Sequence, residues 1–363
     1  MQLESAVGSE AELPVGSVPV GRFEQLPKWL NLIPMVLQWA WLGLRYGSIS
    51  LPSCANPLIT SGGMVGDGKL EYFATMGPLA LAATAEHIGV RNTEGLDVGQ
   101  VIARMQAAGL GFPIVAKPDM GWCGYGVRLL AGASELTDYL RRFPREQTFL
   151  LQRYLPDPGE AGLFYMREPG AASGRLIGIL LRHYPSVTGT GVDTIANLIA
   201  RDPRLRRATA GAMHECRYQP SRIPARGEVV RLSTVASTRV GGCYRDGSEH
   251  ATAALAARVE AVARDMGVFL VGRFDVRYRS LEALRRGEFT IMEVNGAGAE
   301  AVHAWDPKYS IRDVYRIVFA KQRMLFRIAD ANRKLGHAPI GLVRLARLHF
   351  SQQRLMRSYP PSN

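Results

Sequence analysis

The sequence predicts a mixed α/β chain, more narrowly of the α+β kind. Three observations predict it. Short runs rich in β-branched and aromatic residues, such as "TFLLQRYL", "RLIGILLRHYP" and "FTIMEVN", read as strands. Longer segments of helical character separate them, among others at 97–109, 134–142 and 250–267. The composition, 47% hydrophobic and 21% charged over 363 residues, is that of a globular protein with room for two or three domains and a sizeable core.

The elements follow in order. The first 20 residues lack a basic start followed by an apolar run; they read as a loose tail, with no cleavable signal peptide evident. Residues 29–44, "WLNLIPMVLQWAWLGL", form the most hydrophobic segment, interrupted by Asn31, Pro34 and Gln38. It falls short of the ~20 apolar residues that span a bilayer. Trp29, Trp39 and Trp41 suit a segment lying at a membrane–water interface, and a buried helix or core cover is the alternative. A loop-rich stretch precedes helices expected near 77–88 and 97–109, the second capped at Gly109-Leu110-Gly111. "FPIVAKPD" is expected as a strand, "GWCGYG" as a glycine-rich turn and "VRLL" as the next strand. After a helix at 134–142 and the strand "TFLLQRYL", "AGLFYMR" and "RLIGILLRHYP" read as an antiparallel pair joined through "EPGAASG". Helices at 193–210 and 250–267, the strands "FLVGRFDVRYR" and "EFTIMEVN", and basic helices from Ile311 complete the chain.

Charge is unevenly placed. Of the net +12, the segment from Ile311 to Asn363 carries +9, with eleven Lys/Arg against two Asp. Such a surface suits nucleic acid, anionic lipid or acidic substrates. Nucleic acid ranks low, because the aromatic spacing of an RNA-binding sheet and a zinc-finger ligand pattern are both missing. Cys54, Cys123, Cys216 and Cys243 form no CxxC pair, as expected of reduced thiols in a cytosolic-type compartment.

Four features carry candidate chemistry. "GGMVGDGKL" matches GxxxxGK, but Leu70 stands where a phosphate-binding loop needs Ser or Thr, and no hydrophobic strand precedes it. It reads better as a loop delivering Lys69. In "IVAKPDMGWCGYGV", Lys117 ends an apolar strand, and Gly121, Gly124 and Gly126 leave a loop whose amides can approach phosphate closely. A plain hairpin loop with a solvated lysine is the alternative. "LLQRYLPDPGEAGLFY" is a hinge between strands with an isolated Glu160, which alone reads equally as a solvated acid. In "VGRFDVRY" and "FTIMEVN", residues two apart share a strand face, so Arg273 aligns with Asp275 and Glu293 with Asn295, while Met292 and Val294 face the other way. If the strands are neighbours, three oxygen ligands converge as hard cations require. An amphipathic strand with a wet polar face is the alternative.

Taken together, the order Lys, Gly-rich loop, Glu, Arg/Asp, Glu/Asn from Lys69 to Asn295 resembles the ATP-grasp superfamily, nearest in layout to the D-alanine–D-alanine ligase, carboxylate–amine ligase branch. The resemblance implies an ATP-grasp fold with nucleotide held between two α+β subdomains, flanked by a hydrophobic N-terminal and a basic helical C-terminal extension. The expected divisions are 1–60 for the tail and hydrophobic segment, 61–110 for a short preceding region, 111–188 for the lid, 189–310 for the metal and catalytic subdomain, and 311–363 for the basic tail.

The resemblance also implies site roles. Lys69, Lys117 and Gly121, Gly124 and Gly126 would meet the phosphates of ATP; Gln152, Arg153 and Leu155 would flank the base; Glu160 would take the ribose. Asp275, Glu293 and Asn295 would hold Mg²⁺ or Mn²⁺, and Arg273 would face the transferring phosphate. Arg182 and His303 are candidates on the substrate side, a structural role for His303 being equally open. The implied reaction is ATP-dependent ligation of a small-molecule or lipid-linked carboxylate to an amine or related nucleophile through an acyl phosphate. A membrane-surface protein that binds nucleotide without turnover is the alternative, and a homodimer is suggested by analogy alone. The sequence departs from the family in three places: fewer than 70 residues precede Lys69, Gln152 replaces an acidic hinge residue, and "NGAGAEAVHAWDP" replaces an asparagine–proline–glycine turn. Substrate identity therefore does not carry over.

Overall fold

The computed structural model describes residues 18–208 and 218–362. Helices α1 (Arg22–Gln25) and α2 (Lys28–Arg45) come first, followed by α3 (Lys69–Ala74), α4 (Pro78–Ala82), strand β1 (His87–Arg91) and α5 (Val98–Ala107). Strands β2 (Ile114–Pro118) and β3 (Arg128–Leu130), helix α6 (Ala133–Arg142) and strand β4 (Thr148–Arg153) follow. Next are β5 (Gly159–Met166), β6 (Arg175–His183), β7 (Ser186–Thr188), α7 (Ile195–Arg201), β8 (Val229–Arg231) and β9 (Cys243–Asp246). The last are α8 (Ala253–Asp265), β10 (Val271–Tyr278), α9 (Leu281–Arg285), β11 (Thr290–Asn295), α10 (Ile311–Lys334) and α11 (Leu342–Met356).

Two larger antiparallel sheets organise these elements, one of four strands in the order β1-β4-β2-β3 and one of five in the order β11-β10-β5-β6-β9, while β7 and β8 form a separate antiparallel pair. The expected α+β class is the observed one. On the smaller sheet, Asp97 caps α5 by accepting from the amides of Gly99 and Gln100. Val101 and Met105, four residues apart, then bury against Val90, Ile114 and Leu151. On the larger sheet, α8 turns Leu255, Val259 and Val262 onto Leu163, Phe274 and Val276. A third core forms where α2 meets α10: the rings of Trp39 and Phe326 lie 5.0 Å apart, and Gln38 Nε2 donates to the Phe319 carbonyl at 2.9 Å.

Several expectations change. The helix expected at 77–88 stops at Ala82, because residues from His87 onward pair with β4 as a strand. The helix expected at 193–210 shortens to α7 and a 3₁₀ turn at Leu205–Arg207; residues 209 and 210 lie outside the described residues, as does Cys216. The span 111–188 contributes to both sheets: the divide falls in the linker after Arg153, with β1 on the smaller side and β5 and β6 on the larger. The segment from Ile311 is no detachable tail, since Leu325, Phe326, Ile328 and Ala329 of α10 are fully buried. Residues 29–44 form a helix with one buried and one exposed side, as a core cover would. Asn31, Leu42 and Gly43 are buried, while Leu30, Ile33, Leu37, Trp41 and Leu44 line an exposed face at helical spacing.

Candidate active site

The hinge Tyr154–Pro158 places the two sheets around a cleft of about 470 Å³, within the usual range for small-molecule sites. One face of the five-stranded sheet forms its floor. Strand alternation puts Glu160, Gly162 and Phe164 of β5, Arg182 of β6, and Arg273, Asp275 and Arg277 of β10 on that face, while Leu163, Phe274 and Val276 go to the core. Gly162 is required there, because a Cβ would stand 2.8 Å from Arg273 Cδ. Between β10 and β11 the register shifts at Asp275/Val276, so that Met292 is an extra residue. This bulge overturns the simple alternation expected of Met292: it lines the cleft beside Glu293 and Asn295, with Ile291 and Val294 buried on the other side.

The charges on the floor form a closed network. Asp275 accepts from Arg273 Nε at 2.6 Å and Nη2 at 2.9 Å, from Arg182 Nη2 at 3.1 Å, and from Asn295 Nδ2 at 3.1 Å. Glu160 accepts from Arg182 Nη1 at 3.1 Å and from the Tyr184 hydroxyl, with Arg277 Nη2 at 3.6 Å. Burial pushes both carboxyls up, but the arginines outweigh it and hold each below the usual carboxylate range. Tyr184 is flanked by Arg231, 3.2 Å from the ring centroid, and Arg277 at 5.2 Å.

The roof comes from the smaller sheet and the segments docked on it. Lys117 reaches across and donates to the Met292 carbonyl at 3.0 Å. Burial lowers its ammonium to about 8, with Glu293 opposing that shift. Gly68 pairs with Met120, which docks the start of α3 on the glycine-rich loop. Lys69 Nζ thereby donates to the carbonyls of Asp119 and Gly121 at 3.3 and 3.2 Å and stands 3.6 Å from Glu293. The segment "GGMVGDGKL" starts within a 3₁₀ turn, Thr60–Gly63, and follows no strand among the described residues; it brings Lys69 beside Glu293. Cys123, Gly124 and Gly126 all have positive φ, turning the loop's backbone inward. The C-terminal segment straps this loop: Tyr359 stacks on Phe143 and donates to the Met120 carbonyl at 2.6 Å, and Ser362 Oγ donates to the Gly124 carbonyl at 2.5 Å.

Of the residues singled out in the sequence, Lys117, Gly121, Gly124, Gln152, Arg153, Leu155, Glu160, Arg182, Arg273, Asp275, Glu293 and Asn295 line the cleft. Lys69 and Gly126 stand just behind the lining. His303 is not brought in. It is buried against Phe164, ring centroids 4.9 Å apart, and burial lowers it to about 4, as for a neutral core imidazole. Glu160 is a counter-ion to Arg182 and Arg277 and no free ribose acceptor. Arg277 was missed although the alternation of "VGRFDVRY" places it beside Asp275. Residues 234–237 and Gln352 also line the cleft, and no local motif marks them.

The fit of a divalent metal is divided. Asp275 does not fit: both oxygens are filled by two guanidinium groups and an amide, which also set positive charge around it. Among the described residues there is no group of three His, Cys, Asp or Glu placed to hold a metal. Glu293 and the Asn295 carbonyl do fit, since Mg²⁺ commonly takes one or two protein oxygens and completes its shell with phosphates and water.

Two antiparallel sheets with a glycine-rich loop in the roof over a charged floor enclose the cleft. No protein-family model matches the chain, and no curated protein matches it. Similar solved structures include a D-alanine–D-alanine ligase from Bacillus anthracis, 14% identical with a TM-score of 0.41, covering 76% of this chain and 70% of that one. They include a D-Ala:D-Ser ligase from Enterococcus faecalis, 12% identical with a TM-score of 0.39, covering 74% and 63%. A bifunctional glutathione synthetase from Pasteurella multocida is 16% identical with a TM-score of 0.37; the overlap covers 73% of this chain but only 38% of that one. The side chains described above, and not these overlaps, support the function proposed next.

Proposed function

We propose that the protein is an ATP-dependent ligase that joins a carboxylate to an amine through an acyl phosphate. The observation that carries this reading is the convergence of Arg182, Arg273 and Arg277, from two strands of one sheet, with Lys117 and the glycine-rich loop from the other. A carboxylate oxygen attacks the γ-phosphorus and ADP leaves. The amine nitrogen then attacks the acyl carbon, the phosphate leaves, and one N–H proton goes with it. Such chemistry needs positioning and charge neutralisation more than covalent help. Lys117 and the loop amides face the phosphates, and Arg182 and Arg273, locked in place by Asp275, offset charge on the transferring group. Mg²⁺, held by Glu293 and Asn295 together with the phosphates, would supply further neutralisation when bound.

The same reading places the enzyme on an anionic membrane surface. The exposed face Leu30, Ile33, Leu37, Trp41 and Leu44 is bracketed by Lys28 and Arg45, an arrangement suited to interfacial attachment. No helix among the described residues is long and apolar enough to cross a membrane. The deciding experiment feeds purified protein and Mg-ATP with ¹⁸O-labelled carboxylic acids and amines. Label appearing in inorganic phosphate establishes the acyl phosphate. ATP binding with no ADP release from any pair would favour the alternative, a membrane-surface protein that binds nucleotide without turnover.

A further inference from the structure

A second cavity of about 260 Å³ opens beside the cleft. Its walls are apolar, with Met35, Val36 and Trp39 from α2, Val318 and Leu325 from α10, and Trp305. Met64, Gly298 and Glu300 line both spaces, so the two are adjoining chambers. The only lysine or arginine in its wall is Lys321, which is half-buried and makes no hydrogen bond or salt bridge among the described residues. Glu300, at the junction, is exposed. A half-buried ammonium beside hydrocarbon and without a partner is costly unless an anion joins it. Burial lowers it to about 8, Glu300 pulling it up and Arg273 pushing it down, so it remains mostly charged at neutral pH and lies within the field of the floor arginines.

We infer that the acid ligated here is an amphiphile, its hydrocarbon tail lodged in the α2–α10 chamber and its carboxylate drawn by Lys321 toward Arg273. This rests on the ligase reading for the word "ligated", but the chamber itself can be tested without turnover. The tail chamber lies beneath the helix whose outer face is apolar, so a molecule leaving a lipid surface along α2 has a short path to the cleft.

The test titrates straight-chain carboxylates from butanoate to dodecanoate into the full chain, below their micelle concentrations, by calorimetry. Each methylene that enters the chamber should tighten binding roughly fourfold until the chamber is full. Val318→Trp should remove the chain-length dependence while ATP affinity, measured in the same preparation, stays unchanged and certifies the fold. Lys321→Met should keep the dependence and lose the preference for decanoate over decanol. Affinity that is independent of chain length, or a dependence that survives Val318→Trp, overturns the inference. ADP release separates the two readings. Alkyl acids that bind as expected but release no ADP with any amine support the chamber and sink the ligase. ADP release with short polar acids alone, with no alkyl binding, does the reverse.

Discussion

The ammonium of Lys117, on the four-stranded sheet, donates at 3.0 Å to the carbonyl of Met292 at the bulge of the five-stranded sheet. One side chain thus ties roof to floor at the point where phosphate is expected. A charge-assisted contact between this ammonium and a phosphate oxygen would be worth about 1.5–3 kcal/mol. Lys117→Ala should therefore weaken binding of a fluorescent ATP analogue by tenfold or more. Unchanged affinity would remove Lys117 from the phosphate site.

The same lysine sets a pH dependence. Its folded value of about 8 lies below the ordinary 10.5, so free protein loses this charge as pH rises through 8. Phosphate favours the charged form, so nucleotide affinity should fall above pH 8, with binding near pH 8.5 taking up a proton. Calorimetry in buffers of different ionisation enthalpy measures that uptake. An affinity flat from pH 7 to 9.5 contradicts the assignment.

Asp275 and Glu293 should respond differently to loss of charge. Asp275→Asn leaves the buried guanidiniums of Arg182 and Arg273 without their shared anion, which costs about 3–5 kcal/mol. Both Tm and turnover should drop. Glu293 is part-exposed at the cleft and its contact with Lys69 is long, so in Glu293→Gln turnover should vanish while Tm falls much less than in Asp275→Asn. Equal melting losses in the two variants would erase the distinction drawn between them.

His303 contributes to acid lability. Its folded value of about 4 lies below 6.5, so between those pH values the unfolded chain binds the extra proton. Stability contributed by the neutral ring is full above 6.5 and falls as pH drops toward 4, by up to about 3 kcal/mol. Urea melts of His303→Leu should show a flatter profile across that window, with turnover retained. Loss of turnover in a stably folded variant would return His303 to the site.

For surface attachment, Leu37→Asp with Trp41→Asp should abolish co-sedimentation with vesicles rich in phosphatidylserine while leaving the Tm unchanged, because both side chains are exposed. Vesicle binding undiminished by the pair rules out α2 as the anchor. A change of oligomeric state instead would mark the face as a contact between copies.

Much of the site was legible because it obeys strand alternation. Arg273 with Asp275, and Glu293 with Asn295, could be paired by counting in twos, and Arg277 by the same rule. Met292 could not, since a bulge is set by pairing with the neighbouring strand and leaves no local mark. Strands β7, β8 and β9, of three or four residues, are too short for a periodicity to show. The fate of Asp275 was equally hidden. Its sequence neighbours announce Arg273, whereas Arg182 arrives from a strand 93 residues away. The basic stretch from Ile311 read as a tail because most of its arginines lie on the exposed sides of α10 and α11. Its buried stripe, Leu325, Phe326, Ile328 and Ala329, gained meaning only once α2 was laid against it.

The strap formed by Tyr359 and Ser362 has a practical side. Because these two side chains hold the carbonyls of Met120 and Gly124, a small environment-sensitive dye installed at position 362 sits directly on the glycine-rich loop. Its emission would register each arrival and departure of nucleotide, giving a signal for screening substrates before any product is known.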